Sequence, residues 1–246
     1  MIVVDSDFSA LEGTNCYCSD ESAVQIRQAI SGLPLCAVHR IGTGDYHYVS
    51  LFWLERVTEP FTLILFDNHP DDQPTAFSPD TLSCGSWVAE ARRLPLCQDV
   101  IWIRQASVSR DLFQSERPLY PGRHVRESVA ARGHVNGGTA GAAGGGMSEA
   151  KIRRTCLPEI REPLWPNKVY LSIDLDVLSE EYARTDWDQG TMTLEELVKA
   201  IEAIKASSHI LGVDICGGLT PQRGATDDDL ALNSRTETSI ISIFRD

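Results

Sequence analysis

Long apolar runs are missing from this chain. Nowhere do about eighteen consecutive apolar residues occur, so no segment is built to cross a bilayer as a helix. Residues 1–7, MIVVDSD, lack the basic region and extended apolar stretch of a secretory signal, and a cytoplasmic location is the expectation. Basic charge is also scarce: 22 Lys and Arg stand against 35 Asp and Glu, a formal net charge of -13. A surface of that sign repels a nucleic-acid backbone or an anionic bilayer, so the expected partner is a neutral or cationic small molecule, with no nucleic acid and no membrane. Paired cysteine spacing is absent as well. Cys16, Cys18, Cys36, Cys84, Cys97, Cys156 and Cys216 are odd in number and scattered, without a CxxC, which excludes a zinc-ribbon or dithiol framework and predicts reduced thiols. The lone Cys16-Tyr17-Cys18 is too short a signal to carry a soft-metal site.

What remains is enough for one substantial core. The chain has 246 residues, 42% of them hydrophobic, and reads as a single domain over 1–246. Short apolar runs at 2–4, 37–41, 63–66, 100–103, 169–173 and 210–215 predict strands buried on both sides, and they alternate with helical patterns. That alternation is the mark of an α/β protein: three layers, α/β/α, around a mainly parallel central sheet. Tyr48, Leu51, Phe52 and Val57 follow helical spacing, as do Trp87, Val88 and Ala91, where Ser86 is a candidate cap. Thr193 and Glu196 make a capping box ahead of a stripe of Leu194, Leu197, Val198, Ile201 and Ile204. A closing helix with an acidic first turn, Asp227 to Asp229, is predicted near the end, a strand around Ile240 being the alternative. Residues 133–146 are mostly Gly and Ala and predict a flexible surface insertion. No Lys-Ser or Lys-Thr follows Gly146, which argues against a phosphate-cradling loop.

Two acidic clusters follow predicted strands: Asp67-Asn68-His69-Pro70-Asp71 after Leu63-Ile64-Leu65-Phe66, and Asp174-Leu175-Asp176 after Val169-Tyr170-Leu171-Ser172-Ile173. In extended chain alternate side chains share a side, so Asp67, His69 and Asp71 should converge, and Asp174 with Asp176 likewise. Asp67, Asp71, Asp174 and Asp176 packed together could not all stay ionised without cations, because each carboxylate raises the pKa of its neighbours. Two divalent ions remove the conflict. Oxygen donors with one or two imidazoles suit Mn²⁺ first, and less specifically Mg²⁺, Fe²⁺ or Zn²⁺. His39, His124, His134 and His209 have no such company and read as ordinary core or surface histidines.

In order, Gly44-Asp45-Tyr46-His47, Asp67-x-His69-x-Asp71 and Ser172-Ile173-Asp174-Leu175-Asp176 resemble the GGDHS, DAHxD and SxDxD motifs of the ureohydrolases: arginases, agmatinases and formiminoglutamases. Gln189-Gly190-Thr191-Met192-Thr193-Leu194 is similar to the turn and helix that follow in that family, and Ile210-Leu211-Gly212-Val213-Asp214 to its next strand, so the resemblance spans 41–221 in patches. It implies an arginase-like fold with two manganese ions. Asp67 and Asp174 would bridge them, His47 and Asp71 completing one ion and His69 and Asp176 the other. Tyr46 intrudes between Asp45 and His47, which makes Asp45 the competing ligand; otherwise Asp45 and Asp214 stand behind the ligands and orient them, although a strand-closing Asp214 can equally be a turn former. Asp72 reads as a solvated acid.

The sequence departs from the family in two places. The family strand ends in D-V-V-E, whose glutamate grips the guanidinium, whereas Asp214-Ile215-Cys216-Gly217 puts glycine there. The family's proton-moving histidine before a glycine is matched by Cys84 in Ser83-Cys84-Gly85-Ser86. Cys84 is either a small buried hydrophobe or, beside two cations, a thiol of depressed pKa able to act as an acid. Asp67, Asp174 and Cys84 are thus the catalytic candidates. The expected activity is metal-dependent hydrolysis of a small-molecule C–N bond other than that of arginine. A deacetylase-like amide hydrolase and a metal-binding scaffold without turnover are the alternatives. The family resemblance points to a homo-oligomer, and the short chain is equally compatible with a monomer.

Overall fold

The structure, a computed structural model, describes residues 1–74, 81–104, 152–154 and 165–245. In chain order its strands and α-helices are β1 (Ile2–Asp5), β2 (Tyr17–Cys18), α1 (Asp20–Ile30), β3 (Ala37–Gly42), α2 (Val49–Leu54), β4 (Phe61–Phe66), β5 (Leu82–Ser83), α3 (Trp87–Ala91), β6 (Cys97–Ile103), β7 (Ile152–Arg154), β8 (Lys168–Asp174), α4 (Leu194–Ser207), β9 (His209–Cys216) and α5 (Asp227–Ser242). Every strand expected from the sequence is present. The Gly/Ala-rich stretch 133–146, Cys156, His124 and His134 lie outside the described residues.

Seven strands form one sheet in the order β1-β3-β9-β8-β4-β6-β7, each pair parallel. All residues of β4, Phe-Thr-Leu-Ile-Leu-Phe, are buried, as a strand covered on both faces requires. Its side chains alternate between two cores. Leu63 and Leu65 join Ile26, Trp53 and Trp87 beneath α1 to α3, while Ile64 and Phe66 join Ile173, Ile201 and Ile240 beneath α4 and α5. The result is the expected α/β/α layering.

Local signals account for the helix boundaries. Thr193 and Glu196 form the capping box of α4, and Leu197, Ala200, Ile201 and Ile204 are its buried side chains, with Leu194 packed against the same core and Val198 half-buried. Thr226 and Asp229 make a second box at α5, which stays helical through Ile240, so the strand alternative is ruled out. Ser86 is the N-cap residue of α3, but its hydroxyl makes no bond to the helix and instead accepts from Ser83 N at 3.0 Å and Ser83 Oγ at 2.9 Å, closing the turn from β5. Among the described residues no helix is long and apolar enough to cross a membrane.

The order β3-β9-β8-β4 sets the carboxyl ends of four strands side by side in the middle of the sheet. Ligands of open parallel sheets bind outside such ends. The acidic clusters follow β4 and β8, and Gly44-Asp45-Tyr46-His47 follows β3.

Candidate metal centre

The clusters converge through turns rather than through extended alternation. Asp67 Oδ1 accepts from His69 N at 2.5 Å, and Asp174 Oδ1 accepts from Asp176 N at 2.9 Å. Each first aspartate therefore folds its own chain back two residues on, a local alternative that aspartate offers the backbone and that ends the strand. Asp71 lies beyond the turn at φ +48, a conformation aspartate tolerates better than most residues and one that collects at functional sites. Trp87 Nε1 donates to Asp71 Oδ2 at 2.8 Å, and Trp102 Nε1 donates to the Asp67 carbonyl at 2.8 Å, so two buried indoles pin this loop.

His47, not Asp45, reaches the cluster. Gly44–Tyr46 form a single 3-10 turn, and with three residues per turn His47 comes back above Gly44, absorbing the extra Tyr46. The His47 Nε2 pairs with Ser172 Oγ at 2.8 Å. Its Nδ1 lies 3.2 Å from Asp67 Oδ2, 3.1 Å from Asp71 Oδ2 and 3.4 Å from Asp174 Oδ2. Close as they are, His47 Nδ1 and Asp67 Oδ2 are buried without a hydrogen-bond partner. Buried polar atoms are seldom left so, and donors converging at this spacing fit a shared cation better than a shared proton.

A second group adjoins the first. His69 Nδ1 is 2.8 Å from Asp176 Oδ2 and 3.7 Å from Asp67 Oδ1. Asp176 Oδ1 accepts from Asn68 N at 2.9 Å, and Arg104 Nε donates to Asn68 Oδ1 at 3.0 Å, fixing the turn from outside. Asp67 thus offers one oxygen to each group. Asp174, expected to bridge, shares a group with His47 and Cys216 and with neither His69 nor Asp176.

The electrostatics agree with the sequence argument. Burial and the charges of Asp71 and Asp176 hold Asp67 well above the usual carboxylate range. Burial and Asp176 push Asp174 up to about 7. For His47, burial opposes protonation, but Cys216, Asp67 and Asp71 outweigh it and lift the imidazole well above its ordinary value. The bond to Asp176 raises His69 as well. Negative charge is crowded here beyond what the chain alone neutralises.

A cavity of about 180 Å³ opens onto Asp67, His69, Asp71, Asp174 and Asp176, with Cys84 and Trp187 on its walls. Cys84 reaches it as expected. Without ions its thiol goes the other way from the expected depression: burial and the Asp71 charge push it up to about 12. Asp45 touches no candidate ligand; it accepts from Trp187 Nε1 at 3.2 Å and pairs with Arg223. Asp214 does not reach the cluster either. It is fully buried, accepting from Tyr170 Oη at 2.7 Å and pairing with His39 Nδ1 at 2.9 Å, while His39 stacks on Trp53 at 3.6 Å. The strand rise puts it about 7 Å below the end of β9, where a buried polar network and not a metal ligand surrounds it. Asp72 is half-buried, and Gln73 Nε2 donates to it at 3.0 Å.

Two residues escaped sequence reasoning. Ser172 orients His47. Cys216 closes β9 with its Sγ 3.2 Å from Asp174 Oδ2, and its thiol groups with His47 and Asp174. The only signal was a cysteine where the D-V-V-E pattern has valine.

Comparison with known proteins agrees with this arrangement. The Arginase family model matches residues 39–232, which contain every candidate ligand. The chain belongs to the arginase family. An uncharacterized protein of Thermotoga maritima is 28% identical over 186 residues, 74% of this arginase-family chain, which spans only 58% of that relative's length. Among solved structures, formimidoylglutamase from Bacillus subtilis superposes with a TM-score of 0.58 at 13% identity, over 91% of this chain and 66% of the other. Arginase from Medicago truncatula gives 0.56 at 17%, covering 92% and 65%, and a hypothetical agmatinase from Burkholderia thailandensis 0.56 at 14%, covering 93% and 68%. At such identities these structures bear on the fold alone.

Proposed function

We propose that this arginase-family protein is a cytoplasmic metal-dependent hydrolase of a small-molecule C–N bond, and that it does not hold its substrate as a guanidinium. The observation that carries the first part is the pair of buried atoms without a hydrogen bond, His47 Nδ1 and Asp67 Oδ2, which lie 3.2 Å apart at the centre of a carboxylate cluster that faces a cavity. His47, Asp67, Asp71 and Asp174 would hold one divalent ion, and Asp67, His69 and Asp176 the other. Those oxygen and imidazole donors suit Mn²⁺. When bound, two such ions supply Lewis acidity and bring the pKa of water near neutrality.

The rest falls to the protein. Ser172 fixes the His47 ring, and the paired aspartate turns hold the carboxylates in register. His69 is a half-buried imidazole on the cavity wall, where the Asp176 carboxylate fixes its ring for the outer ion. Cys84 lines the same cavity, and in the ion-free protein burial and the Asp71 charge keep its proton on the sulfur.

The second part rests on Gly217. Its backbone sits at φ +99, and a Cβ there would lie 2.1 Å from Asp174 Oδ1. The family's guanidinium-gripping glutamate therefore has no room on this backbone.

The test is metal stoichiometry followed by a substrate screen. After Mn²⁺ loading, the wild type should carry about two ions per chain, and Asp67→Ala should lose both while remaining folded. Release of ammonia, formamide or carboxylate from formimino and acyl-amide compounds, with guanidino compounds inert, is the expected pattern. A folded wild type that binds no ion refutes the reading. Two bound ions with no hydrolysis in any class would instead identify a scaffold without turnover.

A further inference from the structure

We propose that the Cys216 thiol is a ligand of the more buried ion, and that this position selects zinc over manganese; the proposal rests on the metal-dependent reading above. Strand register does the placing. Cys216 pairs with Asp174 across β8 and β9 and with Gly42 across β3 and β9, and Gly217 N donates to Gly42 O at 2.8 Å, tying down the strand end. The sulfur lies 3.2 Å from Asp174 Oδ2, the same oxygen that is 3.4 Å from His47 Nδ1. Donor atoms of His47, Asp174 and Cys216 all fall within 4.8 Å of one another.

A buried cysteine is ordinarily a small hydrophobe. This one, only 2% exposed and packed at the edge of the core beneath α1 to α3, also turns its sulfur toward a carboxylate and an imidazole, the S–H donating to Asp174 Oδ2. A second observation points to an ion at the same place: His47 Nδ1, at which this group meets Asp67 and Asp71, is buried and makes no hydrogen bond although three carboxylate oxygens lie 3.1, 3.2 and 3.4 Å from it. On coordination the thiol proton leaves for solvent and the sulfur becomes an anionic donor, so one metal–sulfur bond forms as one S–H bond breaks.

The two positions then differ in chemistry. The inner one adds the Cys216 thiolate to the His47 imidazole and the carboxylates of Asp67, Asp71 and Asp174, and the sulfur moves a set that would otherwise suit Mn²⁺ toward the borderline-soft Zn²⁺. The outer one, Asp67, His69 and Asp176, offers no sulfur. A mixed centre follows, zinc within and a harder ion at the cavity.

X-ray absorption at the zinc edge tests this on the full chain, stripped of metal and reloaded with one equivalent of Zn²⁺. The expected spectrum contains a sulfur scatterer at about 2.3 Å beside nitrogen and oxygen at about 2.0–2.2 Å. Cys216→Val and Cys216→Ser, checked for folding by circular dichroism, should lose the sulfur shell and reduce the preference for Zn²⁺ over Mn²⁺ about tenfold or more. Cys84→Ser, which alters the thiol on the cavity wall, should keep both. Bound zinc with nitrogen and oxygen only, or a sulfur shell that survives in Cys216→Val, overturns the proposal and leaves the metal-dependent reading standing. A folded wild type with no stoichiometric ion overturns both. Should the Cys216 variants fail to fold, a sulfur shell that persists in Cys84→Ser supports the proposal and one that vanishes there overturns it.

Discussion

Adding one methyl group at Gly217 should damage the metal centre far more than an ordinary glycine substitution. The residue sits at φ +99, where an L side chain costs about 1–2 kcal/mol. The new Cβ would also lie 2.1 Å from Asp174 Oδ1 and 2.8 Å from Leu175 N. Relief requires the carboxylate to retreat by roughly 1 Å, which breaks its bond to Asp176 N and forfeits about 1 kcal/mol more. Gly217→Ala should therefore cost the metal-free protein about 2–3 kcal/mol in urea unfolding. Displacement of a ligand should also weaken divalent-ion binding about tenfold or more in titration calorimetry. Gly224 supplies the control. It has nearly the same backbone, φ +92, yet nothing stands within 4 Å of its Cβ position, so Gly224→Ala should show the conformational cost alone and bind metal like the wild type. Equal losses in the two variants, with metal affinity unchanged in both, would refute the contact between Gly217 and Asp174.

Three further outcomes follow from the same geometry. Gly217→Glu, which writes back the family residue, should bind ions poorly and gain no guanidino hydrolysis, because Asp174 occupies the space; a gain of guanidino hydrolysis with two ions retained would count against the steric argument. Asp67→Asn should bind no ion pair yet melt higher than the wild type when both are metal-free at pH 8, since it removes a buried carboxylate crowded by Asp71 and Asp176 while an amide oxygen can still accept from His69 N; a lower melting temperature contradicts this. Metal-free wild type should lose stability as pH rises. The Asp174 pKa goes up from 3.8 to about 7 on folding, so the unfolded chain binds fewer protons in that window, and stability present below the lower value is lost through the upper one. Asp67 shifts in the same direction. Thermal scans from pH 4 to 8, with and without divalent ions, should show a falling Tm only without them, and a metal-free Tm that rises across the window would refute the assignment.

How much of this was legible in the sequence depended on distance along the chain. Strands buried on both faces announce themselves as uninterrupted apolar runs, and β4 is the clearest. The ligand candidates were legible because carboxylates and imidazoles are rare neighbours of such runs without a cation. Their geometry was not. Alternation along an extended chain predicts the same convergence that the aspartate turns produce, so the side chains meet as expected on a backbone that was not. Asp214 misled because a strand-closing acid looks like a site residue; only the approach of His39 and Tyr170, 175 and 44 residues away, reveals its partners. Cys216 escaped for the converse reason. A cysteine within an apolar strand end reads as core, and the pairing of Asp174 with Cys216 belongs to sheet register, which no local pattern encodes.

The end of β9 shows why these two departures belong together. In the family pattern the position of Gly217 reaches outward to hold a cationic substrate, and the position of Cys216 is apolar. Here the outward group is gone, and the space its Cβ would need is filled by Asp174 Oδ1, the oxygen that accepts from Asp176 N. That placement turns Asp174 Oδ2 toward both His47 and Cys216. Loss of the glutamate and arrival of the thiol are therefore coupled through one carboxylate. On the two proposals above, a chain that gives up a side chain for gripping substrate and sets a sulfur beside its inner ligands changes the ion it favours as well as the molecule it acts on, with the aspartates of the family motif left in place.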